Sequence, residues 1–153
     1  MLRVGNPAGG ALKYRHFWAP SVLAAALALA ACTQRRTVYF EPVGGAGRMS
    51  VDDARAQLGA AMGEECPRLL QESKAPTAEA RFALAVDSSG AVWRATLTQS
   101  AGDIRVDAEF GTVAASLRLP PPAAVDEHGQ AESRLRMAYS CSAGAATATV
   151  EVM

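Results

Sequence analysis

Histidine is almost missing from this chain: His16 and His128 are the only two among 153 residues. With three cysteines and no Cys-x-x-Cys spacing, neither a zinc site of usual ligand spacing nor thiol redox chemistry can be assembled from sequence neighbours. The Ser, His and acidic residues form no recognisable nucleophile motif. Asp52 with Asp53 and Glu64 with Glu65 are adjacent pairs. On a helix such neighbours point in different directions, so they read as solvated caps and faces and not as a general acid/base couple. The run Gly44-Gly45-Ala46-Gly47 has neither the Lys-Ser/Thr of a phosphate loop nor a buried strand before it. These absences argue against an enzyme and predict no cofactor and no metal. No basic face is visible, so nucleic acid is not an expected partner. An apolar run of about 20 residues, the length that crosses a bilayer, is also missing.

The most telling feature is Leu29-Ala30-Ala31-Cys32. Residues 1–31 carry Arg3, Lys13 and Arg15 without any Asp or Glu, and residues 17–31 are almost wholly apolar. A charged start, a short apolar run and small residues before a cleavage point make an export signal. Cys32 makes it resemble a bacterial lipoprotein signal, cleaved between Ala31 and Cys32, with the thiol taking diacylglycerol and the amine a third acyl chain. At 15 residues the apolar run is short for a membrane anchor, and Pro20 interrupts it. The expected product is a lipid-anchored protein of the cell envelope. Thr33, where an Asp could have stood, leans toward the outer membrane, facing the periplasm.

Removing residues 1–31 leaves 122, enough for one core and too few for two domains. That portion holds 12 Lys and Arg against 15 Asp and Glu, a net of −3. Cys66 and Cys141 then form an even pair in an oxidising compartment, where a disulfide is the natural reading and two buried thiols the alternative.

Residues 32–48, rich in Gly, read as a lipidated cysteine and tether reaching about 50 Å at full extension. Within it Tyr39 and Phe40 are the bulky apolar residues, able to dock on the domain or lie at the lipid interface. Ser50 and Asp53 form a capping-box pattern for a helix over residues 51–65, with Ala54, Leu58, Ala61 and Met62 on one face and Pro67 limiting it. Alternation predicts strands over residues 80–86 and 91–98, joined by Asp87-Ser88-Ser89-Gly90. Trp93 belongs to the second, whose two-sided pattern leaves its inner face open; Trp93 is a rim packing residue or a ligand platform. Val106, Phe110, Val113, Ala114 and Leu117 mark a second helix, stopped by Pro120-Pro121-Pro122, with Gly111 allowing close packing. Two more strands follow, over residues 134–141 and 147–152. The expectation for residues 49–153 is an α+β domain in the order α-β-β-α-β-β, with two helices on an antiparallel sheet of three to four strands.

The strand ending at Asp87, the Ser89-Gly90-Ala91-Val92 turn, the segment Thr98-Gln99-Ser100-Ala101-Gly102-Asp103, the Val106-Asp107 helix start and the three prolines resemble the C-terminal domain of the TonB/TolA family. The resemblance covers about 70 residues. It implies a small α+β domain that works by protein contact through an exposed strand edge. This chain departs from that family in its lipoprotein signal, its short tether and its paired cysteines. The resulting expectation is a non-enzymatic, lipid-anchored interaction module of the periplasm. The final strand is the expected contact, through Thr147, Thr149, Val150, Glu151 and Val152, with Trp93 as a further candidate. The alternatives are a TonB-like energy transducer held in the inner membrane and a lipoprotein that binds a ligand or cell-wall component.

Overall fold

A computed structural model describes residues 37–142 and 145–153. The signal, the cleavage point at Ala31 and the lipidation candidate Cys32 lie outside the described residues. The element order is β1 (Tyr39–Phe40), α1 (Val51–Gln71), β2 (Thr77–Asp87), β3 (Val92–Gln99), α2 (Ile104–Ala115), β4 (Gln130–Ser142) and β5 (Ala145–Val152). The strands form one sheet in the order β1-β3-β2-β4-β5, every neighbouring pair antiparallel. The fold is therefore α+β with two helices, and its sheet has five strands where three to four were expected.

The additional strand comes from the segment read as tether. Tyr39 and Phe40 pair with Thr96 and Ala95. Beyond them, the Gly47 amide donates to the Val92 carbonyl, and the Arg48 and Met49 amides both donate to the Ser116 carbonyl. Composition hid this, because a two-residue strand carries no alternation. Phe40 supplies the reason for the docking: its ring occupies the space that a Cβ at Gly111 would fill, and it meets Phe82 edge-on at 6.3 Å.

Helix α1 begins as its cap predicts, with Ser50 Oγ accepting from the Asp53 amide at 3.1 Å. It does not stop before Pro67 but continues to Gln71. An interior proline costs about 3 kcal/mol, partly through collision with the carbonyl four residues back. That residue is Gly63, which faces open space. The turns beyond Pro67 are held by burial of Leu69, by the bond from Cys66 to Cys141 and by Arg68. The Arg68 guanidinium donates to Glu65 at 2.7 Å, to Glu72 at 2.8 Å and to both oxygens of Asp103 at 2.9 and 3.2 Å. Asp103 in turn caps α2 by accepting from the Arg105 and Val106 amides, so one arginine ties the end of one helix to the start of the other. Glu65 is consequently not a solvated residue: its side chain is 14% exposed and also accepts from Arg105 at 2.7 Å.

Helix α2 closes at Ala115, with Ser116 as its cap, before the prolines are reached; Leu117 and Arg118 are already in bridges to Met49 and Ala91. Both helices lie on one face of the sheet. Phe82, Leu84, Val92, Ala95, Leu135 and Met137 point toward them and fill the core with Leu58, Met62, Phe110 and Val113. The opposite face of the sheet has no covering layer among the described residues, and it carries short or charged side chains apart from an aromatic cluster at Trp93 and Tyr39.

Candidate interaction site

Among the described residues the sheet ends at β5, and no strand pairs with its outer edge. Its register with β4 runs without interruption from Ser142 opposite Ala145 to Leu135 opposite Val152. The Met153 amide donates to the Arg134 carbonyl, while on the other side of β4 the Cys141 amide donates to the Pro76 carbonyl. In an antiparallel ladder only alternate residues exchange bonds with a given neighbour. The odd residues Ala145, Thr147, Thr149 and Glu151 therefore spend their backbone groups on β4. The even residues Ala146, Ala148, Val150 and Val152 present theirs outward.

The same parity sorts the side chains. Ala146, Ala148 and Val150 turn toward α1, with Val150 only 2% exposed, whereas Thr147, Thr149 and Glu151 stand on the open face. The expected contact residues thus divide into backbone contributors and side-chain contributors. Ala146 and Ala148, absent from the sequence expectation, carry half of the free edge. Edges are usually protected by charge, proline, a bulge or a covering loop. Here β5 has no proline and no bulge, and its one charge is turned inward across the sheet: Arg136 donates to Glu151 at 2.8 Å and to Glu79 at 2.7 Å. Arg136, and next Arg81, hold the Glu79 carboxyl below its usual range. Glu151 is therefore a member of a face-wide chain of ion pairs and not a blocking group on the edge.

Beside the start of β5, Gly63, Pro67, Leu70, Ala145 and Ala146 line a groove of about 340 Å³ above the Cys66–Cys141 bond. The two cysteines are bonded across 75 residues with their Cα atoms 5.5 Å apart. They are buried, so this bond secures the wall between α1 and β4 and offers no exposed thiol.

Trp93 lies elsewhere. The register slips between Ala85 and Val86, which pair with Arg94 and Val92, leaving Trp93 as the extra residue of a bulge. A bulge re-aims side chains. Val92, Ala95 and Leu97 point toward the core, while Trp93 and Arg94 share the open face, the Arg94 guanidinium 4.5 Å over the Trp93 ring and 5.2 Å over that of Tyr39. This cluster borders a shallow cavity of about 620 Å³ with Ala83, Ala85 and Glu132. Strands β2 and β4 separate it from β5, so the structure does not unite Trp93 with the terminal strand.

His128 is exposed beside Glu127, and no trio of His, Cys, Asp or Glu converges among the described residues. No described helix is long and apolar enough to cross a membrane. No family model matches the chain, and no curated protein or solved structure is significantly similar to it.

Proposed function

We propose that the chain is a non-enzymatic, lipid-anchored interaction module of the bacterial periplasm, held at the outer membrane through Cys32, which binds an envelope protein by accepting an extended strand at β5. The observation that carries this reading is the unprotected edge at Ala146, Ala148, Val150 and Val152. Main-chain hydrogen bonds to those residues would supply affinity, and Thr147, Thr149 and Glu151 on one face, with the groove near Leu70 on the other, would select side chains. The likeness to the TonB/TolA C-terminal domain is compatible with such contact but supplies no argument for energy transduction.

A substitution can test the edge without dismantling the core. The Ala148 amide points outward, so Ala148→Pro removes a donor that β4 does not use, a position where edge strands tolerate proline. The expected outcome is loss of partner recovery from envelope extracts with thermal stability nearly kept. Thr149→Pro removes a ladder bond and should instead lower stability. If Ala148→Pro recovers the same partners as the parent protein, strand addition at β5 is not how they bind.

A further inference from the structure

Three of the eight large apolar side chains exposed among the described residues lie where the chain arrives from Cys32; the other five, Leu70, Ile104, Val125, Val152 and Met153, are spread over α1, α2, the loop before β4 and the end of the chain. Val38, Tyr39 and Val43 are 46%, 57% and 95% exposed, and all three belong to the segment around β1. Arg48, exposed, closes the same segment. Charge is distributed unevenly. Residues 33–48 hold three arginines against Glu41, a formal +2, while residues 49–153 hold nine Lys and Arg against 14 Asp and Glu, a formal −5. Glu41 is partly neutralised by Arg94 at 3.6 Å, and Asp53 is the acidic side chain bordering Val43 and Arg48. Tyr39 is seven residues from Cys32, so at full extension the two are separated by no more than about 25 Å.

We infer that the β1 edge is a membrane-docking surface: Val38, Tyr39 and Val43 rest at the headgroup level of an anionic phospholipid layer, with Arg48 facing the phosphates. Tyrosine, apolar on its ring and polar at its tip, suits that boundary, and an arginine beside it adds attraction to anionic lipid. The occupant is a lipid surface because the short reach from Cys32 would keep this edge beside the bilayer and because the arriving segment is cationic on an otherwise acidic domain. β5 is the far edge of the same sheet, four strand spacings or about 19 Å away. Docking through β1 therefore turns the free backbone groups of β5 away from the membrane. The inference does not depend on strand addition at β5, but it rests on the lipid anchor at Cys32 proposed above.

Since Cys66 and Cys141 are bonded, a cysteine introduced at Val43 can carry a polarity-sensitive fluorophore, with Thr149→Cys as the far-edge control. Protein isolated from cells, with whatever modification Cys32 carries, is combined with vesicles of phosphatidylcholine alone or mixed with phosphatidylglycerol. On the mixed vesicles the probe at 43 should shift to the blue and lose several-fold in quenching by aqueous iodide, and the probe at 149 should do neither. Adding Val38→Ser and Tyr39→Ser should restore quenching at 43 with an unchanged melt. Equal quenching at 43 and 149 on mixed vesicles overturns the docking; equal protection on pure phosphatidylcholine overturns the role of anionic lipid. The mass of Cys32 in the same preparation reports the anchor separately, so its failure is distinguishable from that of the docking.

Discussion

Breaking the Cys66–Cys141 bond is the perturbation whose size the structure constrains best. The bond closes 75 residues, a loop containing β2, β3, α2 and most of β4. In the chain-entropy relation that loop length corresponds to about 15 cal/mol/K, or roughly 4.5 kcal/mol at 25 °C, removed from the unfolded state by the bond. Domains of this size are stable by about 5–15 kcal/mol in total, so reduction should consume a third or more. At about 4 °C per kcal/mol, the melting temperature should fall by roughly 10–20 °C. Because the bond restrains the unfolded chain, its loss should also raise the dependence of stability on guanidinium, as the freed chain exposes more surface. Melts and guanidinium titrations with and without reductant measure both quantities. The double variant Cys66→Ala, Cys141→Ala should reproduce the reduced protein to within about 1 kcal/mol. Oxidised and reduced melts that agree to about 2 °C, equivalent to roughly 0.5 kcal/mol, would refute the reasoning, as would two reactive thiols in the folded, unreduced protein.

Acidification should act through carboxylates whose folded-state pKa is depressed: Arg68 lowers that of Asp103, the Ser89 hydroxyl and the Ala91 and Ser89 amides lower that of Asp87, and Arg136 lowers that of Glu79. The unfolded chain then binds more protons, so the stability these groups contribute is complete above the ordinary carboxylate range and declines below about pH 4. Melting temperature should be flat from neutral pH to about 5 and fall below that range, less steeply in Asp103→Asn; an equally steep fall in that variant would remove Asp103 from the account. Gly111→Ala should displace the Phe40 ring and unseat β1, costing about 1–3 kcal/mol, with amide exchange accelerated at residues 38–49 and little changed in β4. Unchanged exchange there would show that β1 does not depend on this contact. Mass spectrometry of membrane-extracted protein should find an acylated Cys32 at the N-terminus, and an intact Met1 would exclude that processing.

How much of this fold was legible depended on whether one short-range signal dominated. Ser50 with Asp53 located the start of α1 because capping is a contact between near neighbours, and Asp87-Ser88-Ser89-Gly90 located the β2–β3 hairpin for the same reason: Asp87 Oδ1 accepts from the Ser89 and Ala91 amides, and Gly90 takes φ +87°. The stripe beginning at Val106 and the alternation ending at Cys141 were equally local. What escaped the sequence reading was decided by partners far along the chain. Pro67 should end a helix on its own chemistry, yet the turns beyond it are secured by Cys141 and Asp103, 74 and 36 residues away. Tyr39 and Phe40 became a strand only because Gly111 leaves a hole for Phe40 and β3 has a free edge. The orientation of Trp93 was undecidable from alternation because a bulge breaks the period at that residue. The candidate site follows the same division. The pattern of β5 was readable and its side-chain parity with it, but the outward direction of the even backbone groups follows from the bonds of Met153 and Cys141, and the harmlessness of Glu151 to the edge follows from Arg136. A strand edge is thus recognisable in sequence as a strand, and as an available edge only once its single charge is seen to be engaged elsewhere.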